Sequence, residues 1–172
     1  MWLDRARDLV GLREIAGNLH EPKIMQLWRD ARIAYDPKGD EDAWCSAFVG
    51  AMLERSMIST PRKPNARSYS TWGIDVLDQG IERIPVGAVL VWSRPPNPSH
   101  GHVNFATGRT ADGAIEAVGG NQGNSVSIAK FKEVKGRELI AARWPREERD
   151  SLRMLRDLPL IESTRALSAN EA

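Results

Sequence analysis

The chain has 172 residues and a mass of 19.1 kDa, the size of one domain that can bury a core without disulfides or structural metal. Its composition is 41% hydrophobic and 27% charged, with a formal net charge of +1 and a pI near 7.9, which gives no ground for a nucleic-acid or anionic-membrane partner. A single cysteine, Cys45, rules out an internal disulfide, so the fold has to be stable under reducing conditions.

The N-terminal stretch "MWLDRARDLVGLREIAG" carries Asp4, Arg5, Arg7 and Asp8 where a signal peptide needs an unbroken apolar run. The longest apolar run elsewhere, "VGAVLVW", is too short to span a bilayer. The expectation is a soluble, monomeric protein made in the cytoplasm without a Sec signal and without stable membrane insertion. Residues 2–15 place Trp2, Leu3, Ala6, Leu9, Val10 and Ile15 at helical spacing. A second helix is expected from Pro22, with Ile24, Met25, Leu27, Trp28, Ala31 and Ile33 on its apolar side. "YDPKGDED" reads as a loop, and residues 44–57 as a third helix, with Asp40 or Asp42 as its N-cap.

After a Pro-rich loop and a short helical turn, the pattern changes at residue 85. Five β-rich segments follow, at 87–92, 101–108, 113–120, 124–130 and 137–145, separated by Gly, Pro, Asn or Asp. Helices first and strands second predict an α+β domain over 1–146, with helices on one side of a small antiparallel sheet of about five strands. Residues 147–172 read as a short helix up to Pro159 and a tail that frays, too few for a separate binding domain.

The chemistry centres on "DEDAWCSAFV". A lone cysteine is often an inert core residue. A thiol becomes a nucleophile when a helix N-terminus and a neighbouring imidazole hold it as thiolate, and Cys45 opens a predicted helix. Three histidines are available. His20 lies in a loop with no evident partner, whereas His100 and His102 flank Gly101 at the start of the strand "GHVNFAT". His102 is the stronger choice, because Gly101 allows close approach and Val103 and Phe105 alternate onto the opposite face. In "VGGNQGNS" the two glycines make a bend that aims an amide. An Asn121 oxygen accepting from a histidine N–H fits a Cys-His-Asn arrangement, though for Asn121 taken alone an Asx turn closing a hairpin is the more ordinary reading.

"WCSAFV", "GHVNFATG" and "GGNQGNSV", in that order, resemble the CHAP and NlpC-type cysteine peptidases, papain-like peptidoglycan hydrolases of bacteria and phages. "EIAG", "ARSYSTWG" and the final "RWP" extend the resemblance over roughly residues 1–145, and His102 and Asn121 stand nineteen positions apart, similar to the His-to-Asn interval of CHAP domains. The resemblance implies Cys45 as nucleophile, His102 as general base and acid, and Asn121 as the residue orienting His102. It implies a papain-like fold and an endolysin-like hydrolase of a stem-peptide or muramoyl–alanine amide in peptidoglycan, acting on the wall after release or phage-mediated delivery.

Gln122, Trp44, Trp72 and Trp92 are the candidates for holding an oxyanion or substrate. Two departures stand out. Many CHAP domains carry Glu two positions before the Asn, where this chain has Gly119, and Glu116 is a strand residue expected to face away. Some CHAP enzymes bind calcium before the Cys. Here Asp36, Asp40 and Asp42 are the only such candidates, interrupted by Lys38, and no cofactor is expected. The alternatives are a non-catalytic phage tail or wall-binding module of peptidase-like fold, and a metal hydrolase built on "HGH". The latter has no second spaced His or Cys pair in the chain to support it.

Overall fold

A computed structural model describes all residues except 18, 79–82, 95, 98, 153, 154, 156, 166 and 168–172. Three helices lead the chain: α1 (Trp2–Arg7), α2 (Pro22–Asp30) and α3 (Cys45–Glu54). A 3₁₀ helix (Ala66–Thr71) precedes the strands β1 (Ile74–Asp75), β2 (Val89–Ser93), β3 (Gly101–Arg109), β4 (Ile115–Gly119), β5 (Ser127–Phe131) and β6 (Leu139–Trp144). They form one open antiparallel sheet in the order β1-β6-β2-β3-β4-β5. The α+β class and all five expected strands are therefore present. The two-residue β1, at the edge against β6, is a sixth that lies in a segment without strand signal.

α2 begins at Pro22, whose missing N–H costs nothing in a first turn, with the Glu21 side chain capping Lys23 N. α3 packs on β3, where Phe48 meets Phe105 at 6.4 Å between ring centroids. It is buried along nearly its whole length, from Cys45 to Leu53. α1 is shorter than the expected 2–15. Beyond it, Gly11 N donates to Val126 O, Val126 N to Leu12 O and Glu14 N to Asn124 O. These strand-like bonds to the segment before β5 replace the helical ones that the apolar spacing favours.

The C-terminal stretch departs from expectation too. After a 3₁₀ turn (Arg146–Glu148), α4 is described only over Arg149–Leu152. The rest of the helix expected to Pro159 falls partly on undescribed residues, as does the end of the expected tail. The part between is docked. Leu158 N donates to Ile84 O, Arg109 N to Pro159 O and Ile161 N to Arg109 O. Ser163 Oγ and Arg165 Nη1 both donate to the buried Glu116 carboxylate, at 2.8 and 2.7 Å. Residues 157–165 thus strap the sheet, because a buried carboxylate on β4 needs these donors. Among the described residues no helix is long and apolar enough to cross a membrane.

Candidate active site

Cys45 is the first residue of α3, with Trp44 as N-cap and no side chain capping the end. The acids before it do other work. Asp40, without solvent exposure, accepts Ile15 N at 2.9 Å and Glu21 N at 2.8 Å through Oδ2, and pairs with His20 Nδ1 at 3.3 Å. Asp42 accepts from the Tyr35 hydroxyl and Lys38 N. The expected Asp N-cap is therefore replaced by loop stapling: backbone N–H groups of neighbouring loop residues claim both carboxylates first. Burial opposes ionisation of Asp40 most strongly, but the Glu21 and Ile15 N–H groups and His20 outweigh it and hold its carboxyl below the usual range. Asp36 is exposed. The three acids do not converge, and among the described residues no group of three or more His, Cys, Asp or Glu forms a metal cradle. His20, expected to lack a partner, has one in Asp40.

With its end uncapped, the helix offers its first N–H groups to the thiol. Burial pushes the Cys45 thiol up, yet the hydrogen bond and charge of His102, with the Val103 and Ser46 N–H groups, bring it below its ordinary value. His102, 1% exposed, lies on β3 opposite Trp92 of β2. Its ring stacks on Phe131 with centroids 5.5 Å apart and planes 10° from parallel. Its Nε2 lies 3.1 Å from Gln122 Oε1. Since Nε2 is taken by Gln122, Nδ1 is the nitrogen left to serve Cys45.

The amide oxygen seen against His102 Nε2 is that of Gln122, the neighbour of the expected Asn121. The bend after β4 turns one residue later than the spacing implies. Asn121 sits at the left-handed φ of 58°, a conformation that Asn tolerates better than most residues, and the following amide swings onto the imidazole. Gln122 Nε2 donates to Ser127 O at 2.8 Å. A carbonyl only accepts, so this bond fixes the amide orientation and presents Oε1 to His102. The imidazole must then donate from Nε2, which in the neutral ring puts the lone pair on Nδ1.

Both glycines of the bend have a steric reason. A Cβ at Gly120 would strike the Trp44 ring and lie 2.6 Å from Phe48 Cβ, and one at Gly119 would strike Gln122 Oε1 and lie 2.8 Å from Asn104 Cβ. Gly119 is the position where the family resemblance leads one to expect Glu, and the space left there is filled by the Gln122 amide.

The remaining candidates have their polar groups engaged elsewhere or lie at the surface. Trp44 and Trp92 are buried core residues, their N–H groups donating to Glu14 Oε1 and Asn104 Oδ1. Burial is the main influence raising the Glu14 carboxyl, assisted by the charges of Asp40 and Glu41. Trp72 is half-buried, donating to Ser59 O. Gln122, with both ends of its amide engaged, cannot turn toward an oxyanion. His100 is exposed at the rim.

Cys45 lines a cleft of about 400 Å³, together with Trp28, Tyr35, Asp42, Asn65, Arg94 and His100 among others. Asn104, Ser127 and Phe131 were missed by the sequence reading. Asn104 was within reach of it, standing two residues from His102 on a strand and so on the same face. Ser127 and Phe131 carry no local signal. Searches against protein-family models, curated proteins and solved structures find no match to this chain.

Proposed function

We propose that this chain is a cysteine amidohydrolase of papain-like type that cleaves an amide bond of peptidoglycan, in the stem peptide or at the muramoyl–alanine link. The observation that carries the chemistry is one arrangement: a thiol at an uncapped helix start, facing an imidazole whose far nitrogen is held by an oriented amide. The substrate class rests on the resemblance of "WCSAFV", "GHVNFATG" and "GGNQ" to CHAP and NlpC-type enzymes.

In this reading His102 Nδ1 takes the Cys45 proton, and the thiolate attacks the scissile carbonyl carbon from the floor of the cleft. The Cys45 backbone N–H, one of the first-turn donors without a partner inside the helix, holds the oxyanion. Collapse of the tetrahedral intermediate breaks the C–N bond, and the imidazolium gives its proton to the departing amine. Water then loses a proton to His102 and attacks the thioester, releasing the acid and regenerating the thiol. Gln122 keeps the imidazole aligned through both half-reactions.

Digestion of purified cell walls, with mass spectrometry of the soluble fragments, tests the reading. New fragments with a freed amine and a freed carboxyl are expected from the wild type and none from Cys45→Ala. Intact walls under both proteins refute it.

A further inference from the structure

The hydrogen bonds behind His102 extend one residue beyond Gln122. Asn104 is fully buried on β3. Its Nδ2 donates to Gln122 Oε1 at 3.2 Å, and its Oδ1 accepts from Trp92 Nε1 at 3.3 Å. An indole nitrogen only donates, so the Asn104 oxygen has to face Trp92 and its nitrogen is left facing Gln122. At the other end the Ser127 carbonyl only accepts and claims the Gln122 nitrogen. Two fixed groups, Trp92 N–H and Ser127 C=O, thus require the same orientation of the amides between them. Gln122 Oε1 uses both lone pairs, one for His102 and one for Asn104.

We propose that Asn104 is a positioning residue of the Cys45–His102 pair: anchored by Trp92, it donates to Gln122 Oε1 and so keeps the His102 proton on Nε2 and the lone pair on Nδ1. The proposal rests on reading Cys45 and His102 as the reacting pair. A buried network in which every donor meets an acceptor has one orientation, and reversing one member reverses its neighbours.

Asn104→Asp performs that reversal. The new carboxylate has the same shape and still accepts from Trp92, but it sets an oxygen against Gln122 Oε1. A half-turn of the Gln122 amide relieves that clash at the expense of the bond to Ser127 O, with the Ser127 hydroxyl, 3.3 Å away, as the donor to the turned oxygen, and it offers an N–H to His102. Nε2 then has to accept, and the imidazole proton moves to Nδ1, the atom that must receive the thiol proton.

The test is NMR of histidine ring nitrogens in the ¹⁵N-labelled full chain, at a pH where His102 is neutral. It is paired with the rate of Cys45 alkylation by iodoacetamide. The wild type should show the Nε2–H tautomer. Asn104→Asp should show the Nδ1–H tautomer and alkylate at least about tenfold more slowly at neutral pH. Asn104→Leu, which removes both arms, should show a mixture of tautomers with a smaller loss, and it carries the test if the Asp variant does not fold. The Nε2–H tautomer retained alone in the folded variants overturns the proposal. Neither readout uses a substrate, so failure of the chain to cut cell walls leaves this result standing. Hydrolysis with an unmoved tautomer in Asn104→Asp removes Asn104 from the mechanism while sparing the proposed function.

Discussion

Truncating Gln122 to alanine removes four side-chain hydrogen bonds at once: those from His102 Nε2 and Asn104 Nδ2 to its oxygen, and those from its nitrogen to Ser127 O and Oγ. The backbone of the bend keeps its own bonds, with Gln122 N on Ser125 O and Ser125 Oγ on Gln122 O, so the turn itself should persist. Each buried group left without a partner costs roughly 1–3 kcal/mol, less where water enters the vacated space. A net loss of roughly 2–4 kcal/mol follows for three such groups, or roughly 5–15 °C in Tm for a chain of this size. On turnover, the cost is that of an imidazole no longer held, about one strong hydrogen bond, which corresponds to roughly ten- to a hundredfold in kcat. KM should move far less, because Gln122 does not line the cleft. Gln122→Glu keeps an acceptor for His102 and adds charge, so it should retain more activity and shift the basic limb of the pH–rate profile to higher pH by stabilising the imidazolium. Steady-state kinetics on wall fragments, beside melting curves, measure both effects. A larger loss for Asn121→Ala than for Gln122→Ala would refute the assignment of the orienting role.

Three further expectations follow from neighbouring residues. Asp40→Ala should cost roughly 2–4 kcal/mol, since it strands the Ile15 and Glu21 N–H groups. The carboxyl lies below its usual range in the fold and near 4 when unfolded, so its stabilisation is present above about pH 4 and is lost as pH falls through the native value. Asp40→Asn should flatten that acid side of the urea-measured stability profile, and identical profiles would contradict the role. Gly120→Ala should destabilise by roughly 1–3 kcal/mol through collision with Trp44 and Phe48, and an unchanged Tm would show that the bend has slack. Calcium and chelator should leave Tm and activity unchanged, because Asp40 and Asp42 are each bonded elsewhere; a rise of several degrees with calcium would show that Asp36, Asp40 and Asp42 converge on an ion.

The sheet was legible because its strands are short β-rich runs between turn residues, and helix α2 because Pro22 marks its start. Cys45 and His102 were legible for a chemical reason, since few positions in the chain carry groups able to do this work. The sequence named Asn121 for the amide beside the imidazole, and the structure sets Gln122 Oε1 against His102 Nε2: both residues are amides, and the left-handed turn at Asn121 brings the second of them there. The short α1 and the docked C-terminal stretch escaped for another cause. Residues 11–14 and 157–165 take their conformation from backbone partners more than a hundred and about fifty to seventy-five residues away respectively, and no local pattern encodes them. Of the tryptophans named as substrate candidates, Trp44 and Trp92 are core, the reading that their size favours for most of them, and Trp72 is half-buried.

The most direct measurement of the central claim is the pH dependence of Cys45 alkylation by iodoacetamide, in the native wild type and in His102→Ala. A thiolate held by imidazolium and helix N–H groups reacts well below the ordinary thiol range. The wild-type rate should therefore hold through neutral pH and decline only in acid. Without His102, only the Val103 and Ser46 N–H groups oppose burial, and the profile should move to alkaline pH, with a slower rate at neutrality. A thiol that reacts only after denaturation, or a His102→Ala profile superimposable on the wild type, would contradict the account.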